Sequence, residues 1–120
     1  MNRTDIAEEL KKIRARGTDV GSTTLIKSDT LRVVLMALKA GARLHRHHTD
    51  GRLVVQVMEG EIEFNAENQP HRLAAGMLVS LEAMAQHDVT AFKDAVLLLT
   101  IAWPESARTG PGTHRDEGYE

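Results

Sequence analysis

The chain has 120 residues, 42% of them apolar but only 3% aromatic, no cysteine, and a formal net charge of −2. That length suits one domain with a core of Leu, Val, Ile and Met, and the missing cysteines exclude disulfides, thiolate ligands and thiol nucleophiles. Near-neutral charge and basic clusters without interleaved aromatics exclude nucleic acid as a partner, and no run of roughly 18 apolar residues exists to cross a membrane.

The amino-terminal stretch MNRTDIAEELKK is charged and holds no apolar segment of signal-peptide length. Together with the absent cysteines, this sets the expectation of a cytoplasmic protein. Residues 5–16, DIAEELKKIRAR, read as a helix. Asp5 and Glu8 have capping-box spacing, Glu8 and Lys12 can pair at i,i+4, and Gly17 ends the element. Ile6, Leu10 and Ile13 form a narrow apolar stripe that needs cover from the body of the protein or from a second subunit.

From Thr23 onward the pattern is β-branched and aliphatic. Leu31–Ala40 has two readings on propensity alone, because Thr30 could cap a helix there and Gly41 could end it. The run of short, turn-bounded apolar segments that follows favours strand, in an all-β barrel or sandwich. Those segments are Leu53–Met58, then EIEFNAE, RLAAG, MLVSL, QHDVTAF and AVLLLTIAW. Asn68-Gln69-Pro70 reads as a loop, and LEAMAQ is too short to stand as a helix. The tail beyond Pro104 is polar and punctuated by glycine and proline, so disorder is expected there. The organisation expected is a helical segment over 1–19, a barrel over 20–103 and a tail over 104–120.

Three of six histidines, His45, His47 and His48, lie within four residues before a Thr-Asp-Gly turn. Imidazole is the commonest metal ligand and titrates near neutrality. On a regular strand, His45 and His47 would share a face and His48 would oppose them. His71 and His114 read as solvated surface residues. Arg43, Arg46 and Arg52 could attract an anionic small molecule, since guanidinium suits carboxylate or phosphate; equally, they could form a solvated face.

The stretch from Gly41 to Leu99 resembles the conserved barrel of the cupin family, small double-stranded β-helix proteins. That family's first motif runs glycine, five residues, His-x-His, three or four residues, glutamate, six residues, glycine. Gly41, His47 and Gly60 match it, while Thr49 stands at the second histidine and Leu53 at the glutamate. The second motif runs glycine, Pro-x-Gly-x-x-His, then asparagine. Gly76 and His87 match, whereas Glu82, Met84 and Ala91 replace the proline, glycine and asparagine.

The resemblance implies an all-β cupin barrel with a short N-terminal helix. In metal-binding members three histidines and the glutamate hold iron, manganese, nickel or zinc. Carried over by position, it implies a divalent metal at His47 and His87, with His45 as a candidate third ligand. The plainer reading leaves these as polar residues at a barrel mouth and Leu53 as a core leucine. Two functions are therefore expected to compete: a metal-binding barrel, enzymatic or not, and a metal-free ligand-binding or sensor barrel. Family habit and open strand edges also lead to the expectation of a homodimer.

Overall fold

The computed structural model describes residues 1–105, with Arg46 and His47 described by their backbone only. The expectations for His114 and for most of the tail concern residues outside that range. Helix α1 (Ile6–Ala15) is followed by nine strands. They are β1 (Val20–Lys27), β2 (Leu31–Leu38), β3 (Arg43–His47), β4 (Arg52–Glu59) and β5 (Glu61–Ala66), then β6 (Gln69–Ala74), β7 (Leu78–Leu81), β8 (His87–Ala91) and β9 (Ala95–Ala102). One sheet has the order β1-β2-β9-β4-β7 and the other β3-β8-β5-β6. Every ladder is antiparallel. The expected mainly β barrel with one short helix is what the chain forms.

The two-residue side-chain period of a strand decides what faces inward. Val34, Met36 and Leu38 of β2, Leu53, Val55 and Val57 of β4, and Leu97, Leu99 and Ile101 of β9 meet Ile62 and Phe64 of β5 and Val89 and Ala91 of β8 in one core. The alternate residues of β2 and β9 are apolar as well, Thr100 excepted. Leu35 and Val96 face outward and are buried with Ile13, while Ile6 and Leu10 pack alongside. The helix stripe is thus covered within the chain. This also resolves Leu31–Ala40: β2 is a strand between β1 and β9, and its run is apolar on both faces because one meets the core and the other lies under α1.

Two local expectations need correction. Asp5 does cap α1, accepting from the Glu8 backbone N–H at 3.2 Å. The helix ion pairs, however, are Glu8–Lys11 and Glu9–Lys12 at i,i+3 rather than Glu8–Lys12. Gln69 and Pro70 belong to β6 rather than to a loop. The β5–β6 turn is only Glu67 and Asn68, both in left-handed conformation (φ 55° and 62°), the geometry of a two-residue hairpin. Proline is tolerated because β6 is an edge strand.

Candidate metal and ligand site

β8 alternates buried and half-buried residues, so His87, Val89 and Ala91 face the core. His87 is 2% exposed, and its ring stacks on Phe64 with centroids 5.5 Å apart and planes 17° from parallel. Its Nδ1 lies 3.2 Å from the Ala85 carbonyl oxygen. With Nδ1 donating there, Nε2 is the nitrogen that carries the lone pair, and the ring orientation is fixed. That is the arrangement a coordinating imidazole uses.

β3 runs beside β8 with a shift in register. Arg43 opposes Thr90, Leu44 opposes Val89, and His47 opposes His87. Two residues of β3, His45 and Arg46, therefore stand against Asp88 alone, which is a β-bulge. The bulge thus leaves position 47 opposite His87 in the ladder. It also suspends the alternation on which the pairing of His45 with His47 rested. His45 is exposed.

The other two motif positions are occupied otherwise. Thr49 is 2% exposed; its carbonyl accepts from Met84 N–H at 2.8 Å and its hydroxyl from Gly51 N–H at 3.3 Å. Leu53 is 1% exposed and opposes Leu81 on one side and Ile101 on the other. Where the second motif has glycine, Met84 keeps a left-handed backbone (φ 69°). The loop into His87 thus retains its shape without the residue that adopts it most easily. Among the described residues no group of three His, Asp or Glu side chains gathers at metal-binding range, and the position-47 side chain lies outside that set.

The β3–β4 turn is held from the far end of β9. The Trp103 indole N–H donates to Asp50 Oδ1 at 2.7 Å, and the Arg32 guanidinium lies 5.6 Å from the Trp103 ring centroid. Gly51 completes this clasp, because a Cβ there would come within 2.7 Å of Ile101 Cγ2 and 2.9 Å of Trp103. Asp50→Ala should cost about 2 kcal/mol in urea denaturation, since it leaves a part-buried indole N–H without its acceptor. A change within 0.5 kcal/mol would show that the clasp is not holding the turn.

The arginines divide. Arg52 pairs with Glu82, and Arg43 is exposed. Two clefts flank the β5–β6 hairpin tip. One, about 170 Å³, is lined by Asn65–Asn68 and Ala85–Asp88. The other, about 210 Å³, lies between β5, β6 and β7 and is lined by Phe64, Ala66, Glu67, His71, Val79, Ser80 and Leu81. His71 is exposed as expected, yet it borders this second cleft. Nothing in the sequence points to the roles of Phe64 and the Ala85 carbonyl, because one reads as an ordinary core aromatic and the other carries no side-chain signal.

No protein-family model matches the sequence, and no curated protein does. Solved structures do match. A conserved protein of unknown function from Streptococcus pyogenes is 26% identical, with a TM-score of 0.68 over 72% of this chain and 75% of its own. An RmlC-like cupin from Desulfovibrio desulfuricans is 28% identical, with a TM-score of 0.64 over 69% of this chain and 81% of its own. A salicylate 1,2-dioxygenase from Pseudoaminobacter salicylatoxidans shares the fold at 16% identity and a TM-score of 0.69, this chain spanning 32% of it. With two antiparallel sheets and these likenesses, the chain has the fold of the small cupins.

Proposed function

We propose that the barrel end carrying His87 binds a small molecule and, loosely, a divalent transition metal (zinc, iron, manganese or nickel) through His47 and His87. The observation that carries this reading is the buried His87 imidazole. It is oriented by the Ala85 carbonyl and stands opposite position 47 in the β3–β8 ladder. Imidazole suits all four metals. The donor set fits a loosely held ion rather than a tight one: Thr49 offers a hydroxyl, and Leu53 offers nothing where a carboxylate would balance charge. A bound ion would supply an open coordination position for a small molecule. Leu53 and Phe64 would keep that position dry.

His45 enters as the third imidazole on sequence spacing alone, and the bulge lends it no support. An anionic ligand also finds less support than the arginines suggested, because Arg52 is paired and the described residues lining the two clefts include no lysine or arginine. A homodimer belongs to this reading through the sheet edges β1, β3, β6 and β7, since the helix stripe is already covered. The second reading, a metal-free ligand barrel, is favoured by Thr49 and Leu53. Neither assigns a reaction.

The test is calorimetric titration of untagged, chelator-treated protein with zinc, manganese, nickel and anaerobic ferrous iron. One site is expected. An imidazole ligates only as the neutral base, so affinity should fall roughly tenfold or more between about pH 7.5 and about pH 5.5. Absence of binding to all four ions leaves the metal-free barrel.

A further inference from the structure

The metal reading does not need the cleft between β6 and β7, and the construction of this cleft is specific. β6 and β7 are the edge strands of different sheets, so the cleft opens where the two sheets part. Phe64, Ala66 and Leu81 form its floor and are buried; Val79 is half-buried. All four lie on the core-facing sides of their strands. His71 opposes Phe64 in the β5–β6 ladder and stands at the rim with Ser80 and Glu67. Glu67 occupies a left-handed position in the two-residue turn, and it borders the neighbouring cleft as well, where Asp88 adds a second carboxylate.

A flat apolar floor under a rim with carboxylate charge, and no lysine or arginine among the described lining residues, selects its ligand on two counts. An apolar ring gains by covering the apolar surface that the cleft leaves open, chiefly at half-buried Val79, since Phe64 and Leu81 are already buried. A positive group gains at Glu67, whereas a carboxylate would be repelled. We propose that this cleft binds a small aromatic amine, its ring against Val79 over the buried floor and its ammonium group at Glu67. From the preceding section the proposal takes only that this end of the barrel is the binding end. It does not need the metal. Phe64 nevertheless joins the two, because the same ring that floors the cleft stacks on His87.

The experiment is a backbone-amide NMR titration of the full chain, with chelator present, using benzylamine, benzyl alcohol and benzoate. Benzylamine should saturate and shift the amides of Phe64, Ala66, His71 and Val79–Leu81. It should bind about fivefold more tightly than benzyl alcohol, the size of gain a solvent-exposed ion pair supplies. Benzoate should bind weakest. Glu67→Gln, at an exposed turn residue, should bring amine and alcohol to within about twofold while leaving the melting temperature in place. Val79→Thr should weaken all three ligands alike. The proposal is overturned if benzoate equals or exceeds benzylamine, if the shifted amides lie elsewhere, or if Glu67→Gln leaves the preference unchanged. Because the chelator removes metal, failure here leaves the metal reading standing, and absence of metal binding leaves this one standing.

Discussion

Gly60→Ala should cost about 2–5 kcal/mol of folding stability. Gly60 sits between β4 and β5 at φ 81°, and a Cβ there would lie 2.1 Å from the Asp94 carbonyl oxygen and 2.8 Å from Ala95 Cα. Both contacts are backbone and cannot rotate away. A left-handed alanine costs about 1–2 kcal/mol and forced overpacking about 1–3 kcal/mol more. The sum is a large part of a typical domain's stability of about 5–15 kcal/mol. Gly41 and Gly76 provide the control. Their φ values are 86° and 93°, but a Cβ at either meets nothing within 4 Å. Alanine at either should therefore cost only the left-handed term, about 1–2 kcal/mol. Urea denaturation of the three variants measures this directly, and equal losses would contradict it.

Leu53→Glu should be the most damaging of the site substitutions in metal-free protein. Leu53 is 1% exposed in the core, and a lone carboxylate buried there costs several kcal/mol or takes up a proton to avoid ionising. This is also the position at which the family resemblance places a metal-binding glutamate. With His87 oriented and position 47 opposite it, the new carboxylate would complete a stronger donor set. Zinc should therefore raise the variant's melting temperature by more than it raises that of the wild type. A ligand that binds only the folded state stabilises it by RT ln(1 + L/Kd), with L the free ligand concentration, a quantity that grows as binding tightens. A variant that zinc leaves as unstable as before would mean that position 53 does not look onto a metal site.

The fold was legible in the sequence because its signal is redundant. Many short apolar runs, each bounded by Gly, Asp or Asn, specify strands even where one of them, Leu31–Ala40, is locally ambiguous. Packing removed that ambiguity: one face of β2 meets the core and the other lies under α1, so both had to be apolar. The site was legible only in part. His87 followed from motif spacing, but the bulge in β3 did not, since an extra residue in a ladder is a property of the pair and not of one strand. That single residue removes the regular alternation on which the pairing of His45 with His47 rests. Likewise, Asn68-Gln69-Pro70 contains strong turn formers, and only the edge position of β6 allows proline into the ladder. The clasp of Asp50, Trp103 and Arg32 joins residues up to 71 positions apart and carries no local pattern.

The central claim is that the imidazoles of His87 and His47 together hold the ion. Calorimetric zinc titrations of wild type, His47→Ala, His87→Ala, His45→Ala and His71→Ala, run under one set of conditions on untagged protein, test it most directly. One binding event is expected in the wild type, abolished in both His47→Ala and His87→Ala and unchanged in His71→Ala. The His45→Ala arm decides whether the bulge residue contributes. Zinc binding that survives unchanged in His47→Ala and His87→Ala alike would contradict the claim.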